Sequence, residues 1–224
     1  GRGDSMYLYE KLLKEEYVVN LYNGIENNKR IPISHGFLHI NNVLKYAKKL
    51  ADIFTLNDKE KDELLTATVM HDVAQAFLQP NHAYNGSIIV KEMLENNQSI
   101  DPTYIKEKID INRVCDIIRN HSGKKKEEYE DILSCLLILA DKLDITKDRL
   151  KPRYKEFESL YYMENVEKVD VELVDGVLKV IITTNREISF MELNEKGGLN
   201  KLLKILDFFD EKFNIKHDIL INNL

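Results

Sequence analysis

The sequence predicts a mainly α-helical protein with a small β-hairpin and a terminal helix toward its C-terminus. Three observations lead there. Apolar residues recur three and four positions apart as far as about residue 145, the period of a helix with one buried side. Cap and breaker residues punctuate that pattern at intervals suited to short helices. Beyond Pro152 the period drops to two on either side of Asp175-Gly176, as in two strands joined by a tight turn.

In chain order, Leu8, Leu12, Leu13 and Tyr17 mark one side of a helix over residues 6 to 22. An Asn-rich loop containing Gly24 and Pro32 follows. A second helix runs from Phe37 to Phe54, and a third from Asp58, as its N-cap, to Phe77. The Gln79-Pro80-Asn81 stretch breaks the chain before a fourth helix over His82 to Glu95. Asp101-Pro102 opens a fifth, with proline in its first turn, which ends at Asn120 ahead of Gly123. Residues 127 to 145 form a sixth, and Tyr154 to Asn165 another. Val169, Val171 and Leu173, then Leu178, Val180 and Ile182, face one side of the hairpin. A lone hairpin is barely stable in water, so this one must pack on helices, and a last helix over Leu199 to Phe213 supplies part of the cover. Residues 6–165 are thus expected as a helical domain, with residues 166–224 packed on that same domain. Residues 1–5, GRGDS, precede Met6 and read as a vector-derived remnant.

Composition narrows the classes. Of 224 residues, 43% are hydrophobic and 31% charged, the balance of a soluble globular protein. A formal charge of −6 argues against nucleic-acid partners and against an anionic membrane surface. The longest apolar run, Cys135 to Ala140, is too short to span a bilayer. The N-terminus has no apolar stretch of the kind a secretory signal needs. Cys115 and Cys135 both fall in apolar helical stretches and are expected as buried free thiols in a reducing compartment, the cytoplasm.

The stretch TVMHDVAQAF, residues 68 to 77, sets an imidazole beside a carboxylate inside an apolar helical segment. A lone buried carboxylate is strongly disfavoured and would sooner take up a proton. Other such groups recur on apolar sides: His39 near Val43 and Tyr46, His82 at a helix start, His121 after Ile117 and Ile118, and Asp141 after Leu137 and Ile138. Any one of these histidines alone is more often a hydrogen-bonded core or surface residue; the ordered set calls for a shared ligand. A divalent transition metal would make Asp72 and Asp141 favourable inside. Imidazole with carboxylate, and no thiolate, suits iron, manganese, zinc or cobalt. His71 and Asp72 can grip one ion, or Asp72 can bridge two.

His39-x-x-x-Val43 at a helix start, HD near the end of an apolar helix and a later LADKLD together resemble the HD superfamily of metal-dependent phosphohydrolases, over residues 35 to 145. The resemblance implies a helical bundle with His39, His71, Asp72 and Asp141 holding a first metal. It implies a second ion on His82, in H-x3-G, and His121, with Asp72 bridging. The chain lacks the GYP sequence of cyclic-di-GMP phosphodiesterases. It has the H…HD…H…H…D order of bacterial diadenosine tetraphosphate hydrolases, though His82 follows Asp72 by only ten positions. The implied reaction is cleavage of a phosphate ester or anhydride, of a nucleotide, by attack of hydroxide formed on the metal. Asp72 would orient or activate the water, and Lys142 would neutralise phosphoryl charge. Lys124, in the Lys124–Lys126 run, Arg149, with Lys147, and His35, four positions before His39, are candidate phosphate contacts, against a solvated helix start for the lysine run and a surface-loop role for His35. A rival reading is a non-catalytic HD-type nucleotide-binding or signalling module. Such modules usually lack one or more ligands, whereas this chain has them all.

Overall fold

The computed structural model describes residues 6–77, 81–122 and 131–224. Contacts divide the chain into two compact units, Gly1–Asn27 with His35–Ile138, and Asn28–Ser34 with Leu139–Leu224.

The first unit is helical: α1 (Leu8–Leu13), α2 (Glu16–Glu26), α3 (Phe37–Ile53), α4 (Asp58–Met70), a 3-10 turn (Val73–Phe77), α5 (His82–Glu95), α6 (Pro102–Lys108), α7 (Ile111–Asn120) and the larger part of α8 (Ile132–Lys142). At its centre is α4, packed against α1, α3, α6 and α7. Every residue from Asp62 to Met70 is buried, so beyond its first turn this helix has no wet side and no amphipathic stripe to announce it. Its N-terminus is closed by a reciprocal capping box between Asn57 and Glu60, one residue before the expected cap.

Two acidic residues inside α4 hold the ends of other helices. Asp62 accepts the backbone N–H groups of Leu8 (2.7 Å) and Tyr9 (3.2 Å), the first amides of α1, whose own N-cap Tyr7 provides no side-chain acceptor. Glu63 accepts the amide of Asp110 (2.9 Å), the N-cap of α7. Burial pushes both carboxyls up, and the amides they accept oppose that shift.

Several expected helices are interrupted. The helix over 6–22 is two, because Glu15 is extended and restarts the chain as α2. The fifth helix breaks at the extended Ile109, after which Asp110 caps α7 by accepting the amides of Asn112 (3.0 Å) and Arg113 (3.3 Å). The third ends at Met70 rather than Phe77, in the His71-Asp72 turn. Part of the sixth, residues 127–130, lies outside the described residues. Residues 154–165 form 3-10 turns, Pro152–Glu156 and Glu158–Asn165, in place of an α-helix.

The second unit is built on a sheet of order β1-β2-β3: β1 (Val166–Val174), β2 (Val177–Thr184) and β3 (Lys216–Asn223). Asp175 and Gly176 join β1 to β2 with φ of 52° and 77°, the two left-handed positions of a tight hairpin turn. Val169, Val171, Leu178, Val180 and Ile182 are buried, while Leu173, beside the turn, is 45% exposed. The third strand was not anticipated: β3 runs parallel to β2, reached through α9 (Phe190–Leu193) and α10 (Asn200–Phe213). α10 lies against β3 and buries Leu202, Ile205, Leu206 and Phe209. Residues 28–34 are tied to residues 149–153: Ile33 bridges Leu150, Ser34 N–H donates to Arg149 O (2.8 Å), and Lys151 N–H to Pro32 O (2.9 Å). No helix among the described residues is long and apolar enough to cross a membrane.

The α4 carboxylates make a direct prediction. Asp62→Ala leaves two first-turn amides of α1 buried without acceptors and should lower the unfolding free energy by about 1–3 kcal/mol. Urea denaturation checks this, and an unchanged midpoint would show that α1 needs no external cap.

Candidate metal centre

The first unit brings five histidines around one carboxylate. α4 ends where Thr68, through Oγ1, donates to Leu64 O (2.7 Å) and His71 Nδ1 meets Thr68 O (2.6 Å). His71 is the C-cap, and Asp72 sits in the turn leading to Val73–Phe77. Gly36 caps α3 in an extended conformation, leaving His35 just outside the helix and His39 in its first turn. His82 opens α5 and His121 is the C-cap of α7.

The two oxygens of Asp72 face different partners. Oδ2 lies 2.9 Å from His35 Nδ1, 3.3 Å from His39 Nε2 and 3.5 Å from His71 Nε2. Oδ1 lies 3.9 Å from both His82 Nε2 and His121 Nε2, and those two nitrogens are 3.2 Å apart. The Nδ1 atoms of His71 and His121 each meet the carbonyl three residues back in their own helix, Thr68 O and Ile118 O, both at 2.6 Å. In the neutral rings, donation there keeps the proton on Nδ1 and turns the Nε2 lone pair toward the carboxylate, the arrangement a metal-binding imidazole needs. His39, His71, Asp72 and His121 are buried, whereas the side chains of His35 and His82 are 21% and 34% exposed.

Burial alone would raise the Asp72 carboxyl. The charges of His71 and His35 and hydrogen bonds from His35 and His39 instead hold it well below the usual carboxylate range. Tyr22 of α2, fully buried, donates its hydroxyl to Val69 O in the last turn of α4. Burial beside Asp72 pushes that hydroxyl well above its usual range, so it stays neutral. Sequence reasoning missed Tyr22, because its place in an amphipathic helix gives no sign that it reaches the turn before His71-Asp72.

The donor set fits a divalent transition metal. One ligand atom from each of His35, His39 and Asp72 lies within 4.8 Å of the others, and the same holds for His71, Asp72 and His121. These are imidazole nitrogens and a carboxylate oxygen, with no thiolate; Cys115 and Cys135 are buried free thiols on α7 and α8. Asp141, Lys147 and Arg149, also expected at the site, belong to the second unit. Asp141 is in the last turn of α8, beyond the division between Ile138 and Leu139, and its Oδ2 accepts from Lys142 Nζ at 3.0 Å. Arg149, expected as a phosphate contact, is 7% exposed and donates to Ser34 O (2.9 Å) and Asp144 O (3.1 Å) within the second unit. Its guanidinium therefore serves the framework. Lys147 pairs with Glu167 at 2.7 Å. Lys124 lies outside the described residues.

A fully helical unit whose central helix ends in a His-Asp turn, ringed by further imidazoles, is the frame of a metal-binding domain. The HD domain family matches residues 36–146, and the chain belongs to that family through this span. HD domains bind divalent metals, and the family is one of metal-dependent hydrolases. A crystal structure of a predicted HD superfamily hydrolase from an uncultured Thermotogales bacterium is similar over 67% of this chain and 88% of its own, with 17% identity and a TM-score of 0.42. No curated protein matches the chain.

Close packing fixes the entry to α3. The Gly36 amide donates to Glu26 Oε2 (3.2 Å), and a Cβ on Gly36 would lie 2.7 Å from Glu26 Cβ and 3.0 Å from Tyr22 O. Gly36→Ala must push α2 from the start of α3 and should lower stability by about 1–3 kcal/mol. Thermal or urea melts test this; a variant as stable as the parent would show that the two helices part freely.

Proposed function

We propose that this chain is a metal-dependent phosphohydrolase acting on a phosphate ester or anhydride, of a nucleotide. One observation supports the reading above others: Asp72 presents Oδ2 to His35, His39 and His71 and Oδ1 to His82 and His121. A carboxylate so divided is suited to bridge two cations. His39 and His71 would belong to one of them, and His82 and His121 to the other. The HD pattern adds Asp141 to the ligand set. A bound divalent ion supplies Lewis acidity, lowering the pKa of water and offsetting charge on phosphoryl oxygens.

The chain's own residues have separate tasks. Asp72 orients the attacking water by accepting one of its hydrogens. The buried rings of His39, His71 and His121 exclude bulk solvent, which strengthens every charge interaction there. His82, more exposed, lies at the solvent side and would admit substrate. Lys142 offers a point charge for a phosphate oxygen. The nucleotide is the substrate class that the HD resemblance implies.

Metal analysis of protein purified without chelator, followed by a screen of nucleotides and other phosphorylated compounds, tests the proposal. Asp72→Ala should abolish both metal content and hydrolysis, since it removes the oxygens shared by all five imidazoles. Full activity in a folded Asp72→Ala protein would end this reading. Asp141→Asn keeps one acceptor but removes a negative charge, so it should weaken metal binding more than it disturbs folding. His82→Ala or His121→Ala should lower stoichiometry from two ions to one. A wild-type chain that saturates at one equivalent with iron, manganese, zinc and cobalt would rule out the two-ion arrangement.

A further inference from the structure

We propose that His35 is itself a metal ligand, through Nδ1, in addition to the residues that the HD pattern supplies. The inference rests on the metal-dependent reading above and adds a donor to it. Three imidazole nitrogens converge on one oxygen: His35 Nδ1, His39 Nε2 and His71 Nε2 lie 2.9, 3.3 and 3.5 Å from Asp72 Oδ2. His35 and His39 hydrogen-bond to that oxygen, while His71 turns an Nε2 lone pair toward it at 3.5 Å, a repulsion that a cation held there would reverse. Such a cation can use the His35 and His39 lone pairs and the carboxylate oxygen together. The spacing agrees with that use. Metal–ligand bonds of about 2.0–2.2 Å put neighbouring donors about 2.8–3.6 Å apart in octahedral or tetrahedral arrangements.

The backbone explains how His35 reaches the site although it is not helical. His35 and His39 are four apart, but Gly36 is the N-cap of α3, with an extended backbone. The turn at Gly36 swings the His35 ring until its centroid is 5.5 Å from that of His39, edge to face. The contact is made by Nδ1, the nitrogen closer to the backbone, as suits a residue that arrives from a loop beside the site. His39, from within the helix, reaches with Nε2. His35, His39 and Asp72 form a triple whose ligand atoms all lie within 4.8 Å of one another. With its side chain 21% exposed, His35 closes the solvent side of a group whose other members are buried.

Cobalt(II) tests the assignment, because ligated imidazoles show hyperfine-shifted N–H resonances in proton NMR. The full chain is stripped of metal, titrated with cobalt(II), and compared with His35→Ala and His35→Gln. His35→Gln can still donate a hydrogen bond to Asp72, so it decides the matter if His35→Ala does not fold. Both variants should bind cobalt at least about tenfold more weakly, and the spectrum should lose one exchangeable shifted resonance, the Nε2–H of His35. An unchanged number of such resonances, whatever the affinity, would overturn the proposal and make His35 a positioning partner of Asp72. A wild-type chain that takes up no cobalt, iron, manganese or zinc would instead sink the proposed function, and this inference with it.

Discussion

Everything in the first unit is arranged around one unfavourable act, the burial of the Asp72 charge. Its carboxylate is 2% exposed and would be strongly destabilising alone. The fold answers with imidazoles brought by the entry to α3, the end of α4, the start of α5 and the end of α7. Helix ends are where such groups belong. Carbonyls of the last helical turn can fix a ring's tautomer, as Thr68 and Ile118 do for His71 and His121. The site thus draws its order from the places where regular structure stops.

The same economy operates away from the site. Asp62 and Glu63 are acids in the middle of a buried helix, yet each accepts an amide that another helix terminus leaves open. One central helix therefore fixes the starts of α1 and α7 at one end and the His-Asp turn at the other. A tilt of α4 would move both sets of contacts together, so the stability of the unit and the geometry of the site are linked through a single rod.

Much of this was legible before the structure. α3 and α5 lie within a residue of where periodicity and breakers placed them, and Asp175-Gly176 makes the expected hairpin turn. Of the residues that meet at Asp72, His39, His71, His82 and His121 stood out by their apolar surroundings, whereas His35 was read as a phosphate contact. What was not legible depends on distant parts of the chain. The end of α4 escaped because Val73 and Phe77 continue the helical period beyond the His71-Asp72 turn. The break before α7 had a signal, Asp110 ahead of an apolar residue, which a uniform helical pattern masked. β3 escaped because its pairing with β2 is parallel and non-local, and its sequence KHDILINN alternates too little to read as a strand. Tyr22 and Asp62 act across 47 and 54 residues of chain, and nothing in their own neighbourhoods marks them.

Residues 28–34 belong to the second unit although nearly all of that unit comes from beyond residue 138. They bring Ser34 O to the Arg149 guanidinium, Asn28 O to the Lys151 ammonium and Arg30 O to the Arg153 guanidinium. The first of these contacts spans 115 residues, a long loop whose closure is an entropic barrier and a source of slow folding. It also sets what can be dissected. A gene fragment beginning at residue 139 would encode the sheet and α10 but not the seven-residue peg, leaving the Arg149 side chain without its Ser34 acceptor. The second unit is compact in space but discontinuous in sequence, and a cut at the obvious place would sever it from part of itself.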